Sequence, residues 1–267
     1  MSKFLLYSVN GRGSSASIDS GSIPSNGGDY TSNSSKVTND ERLLDDSVAT
    51  AANFTAADAA VRVDKGSASI DVIDSFAFHS SAAGSNGIEV YTNSASNNSS
   101  TAEKLAFDTI IQGWNVSAQS ETRADSNGKI TASESERYWY VTAHQGAVAT
   151  ITEIMFAKQV NLTNVTLAGT EGVINGNKVV QSQGGVQYSN KRHDGIRFFN
   201  FDLKFISNTY KTTLETMRDS LFGSHDKLLY YDGSEYILVR LSDDSLQFKE
   251  VAFNVFDTSI KLTEQLS

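Results

Sequence analysis

The stretch IRFFNFDLKFISNTYKTTLETMRDSLFGSHDKLLYYDGSEYILVRL, residues 196–241, decides the fold. Its first part alternates, with Phe199, Phe201, Leu203 and Phe205 set against Asn200, Asp202 and Lys204. A period of two predicts a strand that carries those four apolar side chains on one face. The period then lengthens. Tyr210, Leu214, Met217 and Leu221 recur at helical spacing, with Ser207 or Asn208 placed to cap the start. Gly223 stands where a left-handed residue would end the helix. Two apolar runs follow, Leu228–Tyr231 and Tyr236–Leu241, and Asp232-Gly233 between them predicts a hairpin. A last run, through Leu246, Phe248, Val251, Phe253 and Val255 to Ile260 and Leu262, predicts a closing strand. The order is strand, helix, hairpin, strand.

The hairpin is apolar on both faces. Leu229 and Tyr231 share one face with Tyr236 and Leu238, while Leu228 and Tyr230 share the other with Ile237 and Val239. A hairpin exposed on one side would alternate polar with apolar. Either it is enclosed within its own domain, the preferred reading, or one face meets another subunit. Tyr230, Tyr231 and Tyr236 are then the candidate interface residues, since tyrosine is enriched at interfaces.

Upstream the chain divides by composition. Residues 1–36 hold one short strand, Lys3 to Val9, and a Gly/Ser/Asn-rich arm from Asn10 to Lys36. The arm has no core of its own and is expected to order against a neighbouring subunit. Residues 37–157 carry short apolar runs separated by turn residues. Val61 and Val63 lead through a turn at Asp64–Ser67 to Ile70, Val72, Ile73, Phe76 and Phe78, and Asn86-Gly87 opens Ile88–Tyr91. Arg137–Ala143 and Thr150–Phe156 follow, joined at His144–Ala147. Short strands at this spacing predict a β-sandwich. Residues 158–267 form the second domain, its first part being linker and one or two further strands.

Composition narrows the function. The 267 residues carry 22 basic and 31 acidic side chains, a net charge of −9, with no Lys/Arg cluster. Nucleic-acid binding draws its affinity from basic groups on phosphates, so that class is not expected. Apolar content is 39 %, and no run approaches the roughly 18 apolar residues of a spanning helix, so membrane insertion is not expected either. Phe4–Val9 is too short for a signal-peptide core. The chain has no cysteine, which removes disulfides, thiolate metal sites and a cysteine nucleophile.

The C-terminal residues resemble a known family. GGVQYSNKRHDGIR, ending at Arg197, then the strand, the helix to Gly223, and KLLYYDGSEYILVRLSDDSLQFKEVAFNVFDTSIKL are similar to the C-terminal domain of minor tail proteins of tailed phages, the distal tail or baseplate proteins. The middle segment, with IDVIDSFAFHSS, NGIEVYTNS, RYWYVTAHQG and TITEIMFAK, resembles the galactose-binding-like, discoidin-type jelly roll that such proteins carry. The two resemblances together cover about residues 40–267. His79-Ser80 departs from the His-Asn that usually ends the sandwich's early strand.

The resemblance implies a mainly β protein of two domains, a jelly-roll β-sandwich followed by a split β-barrel with one α-helix. It implies a structural virion protein of the tail tip, made in the host cytoplasm. A hexameric ring would contact the tail tube protein, the tail hub, and fibre or receptor-binding proteins. The alternative is a carbohydrate-binding module for host-surface attachment carried on a tail protein, with a host glycan contacted through Trp114 and Trp139. Trp139 lies between Tyr138 and Tyr140 in a strand, so core packing is its more ordinary role.

No catalytic constellation is expected. His79, His144, His193 and His225 are not spaced as metal pairs, and no Gly-x-Ser-x-Gly elbow exists. The segment from Gly172 to Lys178 has the wrong spacing for a phosphate loop. The segment Arg123–Glu134 mimics a calcium loop but places Arg123 where a carboxylate belongs, so a turn on Asn127-Gly128 is the expectation. Asp40, Glu41, Asp45 and Asp46 read as a solvated loop rather than a cation site. The expectation is no enzyme, no cofactor and no metal.

Overall fold

The computed structural model describes residues 3–9, 17–19, 37–39, 42–43, 48–55, 59–64, 73–84, 87–93, 102–117, 138–143, 150–162, 169–181, 187–191 and 194–265. The elements open with β1 (Phe4–Ser8), β2 (Ser17–Asp19), β3 (Val37–Thr38), β4 (Asn53–Phe54), β5 (Ala60–Asp64) and β6 (Ser75–Ser80). They continue with β7 (Ile88–Asn93), β8 (Ala102–Phe107), β9 (Gly113–Val116), β10 (Tyr138–Ala143), β11 (Ile151–Asn161), β12 (Thr170–Ile174), β13 (Asn177–Gln181) and β14 (Gln187–Lys191). Last come β15 (Ile196–Ser207), α1 (Asn208–Ser220), β16 (Lys227–Tyr231), β17 (Tyr236–Leu241), β18 (Phe248–Ala252) and β19 (Val255–Glu264). The protein is mainly β, built of antiparallel sheets with one helix among the described residues. It forms two compact units, one drawn from Met1–Tyr7 and Val160–Leu266, the other from Ser8–Gln159.

The Ser8–Gln159 unit has two layers. One is the five-stranded sheet β2-β5-β10-β7-β8, and the other contains β11, β6 and β9. Alternation assigns the inner faces. Phe76 on β6 meets Phe156 on β11 and Phe107 on β8, Phe78 meets Phe107, and Trp139 on β10 meets Phe156. Phe78 and Phe107 stand edge to face at 5.1 Å, and Trp139 lies 5.0 Å from Phe156, so these rings join the layers. Each such ring, fully buried, contributes on the order of 1.5–3 kcal/mol by removal from water. β7 and β8 pair as chain neighbours, but others do not. β5 and β6, adjacent in sequence across Asp64–Ser67, lie in different sheets, as do β10 and β11.

The other unit is a sheet in the order β12-β15-β19-β17-β16-β1, with β18 also bonded to β19. Among the described residues its path does not return on itself. The opening strand, set apart with the arm in the sequence reading, belongs here: β1 pairs with β16, placing Leu5 opposite Tyr230 and Leu6 opposite Leu229. Phe199, Phe201 and Leu203 of β15 face inward beside Leu262, Ile260 and Thr258 of β19.

Helix α1 begins as the spacing predicts. Ser207 is its N-cap, its Oγ accepting the Tyr210 N–H at 3.2 Å, and Leu214 and Met217 are buried. The end is reached by two left-handed residues rather than by Gly223 alone, because Phe222 (φ 48°) precedes Gly223 (φ 72°). The Gly223 N–H donates to the Arg218 carbonyl, closing the last turn.

Two sequence expectations are corrected. Phe205 does not share the face of Phe199, Phe201 and Leu203. Leu203 pairs with Thr258 and Ile206 with Phe256, so Lys204 and Phe205 together oppose Asp257 in a bulge. Phe205 takes φ 55° and its side chain is 71 % exposed, while Ile206 fills the inward position. Asp257 pins the bulge: its carboxylate accepts the Phe205 N–H and pairs with Lys204, each at 3.0 Å. The second correction concerns the closing strand. It is a hairpin, β18 and β19, turning at Phe253 and Asn254 (φ 57°), with Phe253 89 % exposed at the tip.

Candidate interaction surface

The tyrosine hairpin has the register read from the sequence. Tyr231 stands opposite Tyr236, Tyr230 opposite Ile237, Leu229 opposite Leu238 and Leu228 opposite Val239. Asp232 builds the turn, its Oδ1 accepting from the Ser234 N–H at 2.7 Å and the Glu235 N–H at 3.0 Å. Gly233 holds φ 112°, and the Tyr231 hydroxyl donates to its carbonyl at 2.9 Å.

Both faces are covered. Tyr230 packs inward between Phe199 (4.9 Å) and Phe201 (5.3 Å), while on the other face Tyr231 lies 5.0 Å from Phe4 and 4.7 Å from Tyr236. Tyr230 and Tyr231 are buried and Tyr236 is half-buried. Burial raises the phenol pKa of both Tyr230 and Tyr236 well above the usual value. The Tyr230 hydroxyl is buried without a hydrogen-bond partner among the described residues. Of the two readings left open by the sequence, enclosure describes this hairpin.

Trp139 is fully buried between the layers of the Ser8–Gln159 unit, and Trp114 is nearly so. The structure does not bring the two together in a platform. Trp114 stands opposite His79 in the β6–β9 pairing, ring centroids 5.3 Å apart. His79 in turn faces the bulge at Thr152, whose Oγ1 is 2.6 Å from His79 Nδ1 and donates to the His79 carbonyl at 3.3 Å. Burial holds the His79 imidazole below its ordinary pKa.

Several sequence candidates fall outside the described residues: the Arg123–Glu134 loop, Asp40, Glu41, Asp45, Asp46, His144, His193 and nearly all of the Asn10–Lys36 arm. Gly172 belongs to β12, a strand, and His225 is exposed beside Asp226. Among the described residues no group of three or more His, Asp or Glu is placed to hold a metal ion. No helix among them is long and apolar enough to cross a membrane.

The unit of β15 and α1 also exposes apolar side chains, several of them on its outer strands. Val173 and Ile174 of β12, Val251 of β18, and Phe253 and Phe205 beside the β18–β19 hairpin are all exposed. Sequence reasoning missed them. Val251, Phe253 and Phe205 sit in alternating patterns that read as buried, and the bulges at Phe205 and Val251 and the turn at Phe253 and Asn254 place them outward. An ion-pair clamp holds the far end of β15. Arg197 reaches Glu264 at 2.8 Å and Glu235 at 2.5 Å, and its backbone N–H donates to Glu264 at 2.9 Å. The hydrogen bonds from Arg197 keep the Glu264 carboxyl below its ordinary pKa. Compared with known proteins, the chain matches no family model and no curated sequence.

Proposed function

We propose that this chain is a structural, self-assembling protein of a phage tail tip. Its Ser8–Gln159 unit is read as a jelly-roll sandwich, and the unit of β1 and β12–β19 as a split barrel with one helix. The observation that carries the reading is the exposure of apolar side chains on the outer strands β12 and β18 of this sheet. Exposed apolar edges of this kind mark association sites. In this account copies close into a hexameric ring at the end of the tail tube, in contact with hub and fibre proteins, within the virion.

The resemblance described above supports the phage assignment, and the outer strands support assembly. Negative-stain microscopy of the concentrated full chain tests it: closed rings with an axial channel are expected. Particles that stay small and compact at every concentration would count against it. A glycan array then tests the second role, sugar contact by the sandwich. The burial of Trp139 and Trp114 disfavours that role, since neither indole presents an open face.

A further inference from the structure

We infer that β12 of one copy pairs in parallel with β18 of the next, joining their sheets edge to edge. The inference rests on the self-assembly just proposed and specifies its contact. β12 bonds to β15 along one edge, with an unbroken register from Thr170 to Ile174, and takes no strand on its other edge among the described residues. β18 bonds to β19 on one edge and likewise has no second partner among them. Such an edge is a row of unpaired backbone donors and acceptors, and single-copy proteins commonly guard it with lysine, proline or a bulge. β12, with the sequence TEGVI, has none of these guards. β18, with the sequence FKEVA, has two: Lys249 and the bulge at Val251.

The guards on β18 select rather than forbid. Aligned in parallel, the two strands set Glu171 opposite Lys249 and Val173 opposite Val251. Opposite charges and β-branched pairs directly across a sheet are both stabilising. The self-pairings lack this match. Two β18 strands, antiparallel about their centres, set Glu250 against Glu250; two β12 strands set Glu171 against Val173. Only the mixed pair gains in charge and in apolar contact. It also uses two different surfaces of each copy, so each added copy leaves one free edge of each kind. Repetition therefore closes a ring or extends a filament rather than stopping at a dimer.

The chain has no cysteine, so introduced thiols report without background. Val173→Cys and Val251→Cys proteins are mixed at a concentration that supports association and treated with a short bis-maleimide. Crosslinked dimer in the mixture, and not in either protein alone, is expected. Dimer from Val173→Cys alone would mean a two-fold β12 contact and would overturn the inference. No crosslink in the mixture while rings still form would overturn it and leave the ring reading standing. No association at any concentration would overturn both. Charge reversal supplies a second measurement. Glu171→Lys or Lys249→Glu alone should weaken association about tenfold or more, and the two together in one chain should restore it. A double variant as weak as the singles would contradict the pairing.

Discussion

Strand β10 in one unit and strands β12 and β18 in the other each carry a valine, Val141, Val173 and Val251, yet these meet opposite surroundings. All six residues of β10, Tyr138–Ala143, are buried, so both faces of that strand are covered. Four of the five residues of β12, and four of the five of β18, are exposed. The first is interior, where an aromatic side chain contributes to stability. The second is edge, where an apolar side chain is free to meet a partner. Residue type alone does not separate the two roles; position in the sheet does.

The sharpest way to break that contrast is Trp139→Ala. Its indole bridges the two layers, so its loss should cost about 3–5 kcal/mol, read as a lower denaturant midpoint with far-UV and near-UV signals moving together. Stability unchanged with loss of sugar binding would instead place Trp139 at a surface site. Tyr230→Phe should act in the other direction. It removes a buried hydroxyl that has no partner among the described residues, so the variant should be more stable by about 1 kcal/mol. Destabilisation by that amount would show that the hydroxyl is bonded in solution.

Acid should affect the two units in different windows. His79 has a lowered pKa in the folded chain, so the unfolded chain binds its proton first. Its contribution is intact above about pH 6.5 and is lost as pH falls toward the folded value. Glu264 is also lowered, through its hydrogen bonds to Arg197, and its contribution is intact above about pH 4.5 and lost below it. Because Arg197 is about a third exposed, solvent screens the pair and the effect is modest. Denaturant midpoints from pH 8 to pH 3 should therefore flatten below about 6.5 in His79→Asn, and below about 4.5 in Glu264→Gln. The smallest effect belongs to Phe253→Ser. A side chain 89 % exposed should change stability by no more than about 0.5 kcal/mol, while association weakens.

Much of the unit of β15 and α1 was legible because its order is local. The cap at Ser207, the buried Leu214 and Met217, and the hairpin register around Asp232-Gly233 all follow from periods of two and 3.6 and from turn chemistry. Three things were not legible. The alternation through Phe205 continues unbroken, and nothing nearby announces that Asp257, far along the chain, will meet two residues instead of one. The pairing of β1 with β16 joins opposite ends of the chain, and strand sequence does not name its partner. The hop of β5 and β6 into separate sheets is likewise decided by long-range packing. Tyr230, Tyr231 and Tyr236 drew notice because both faces of their hairpin are apolar or aromatic, whereas Val173, Ile174, Val251 and Phe253 stand out only once the edges of the sheet are known.

The most direct test of the assembly account is the molar mass of the full chain by light scattering across a wide range of concentration at neutral pH. The account predicts a discrete closed multiple of the 28.9 kDa chain, most simply a hexamer, that persists once formed. A mass that stays at one chain at every concentration would contradict it.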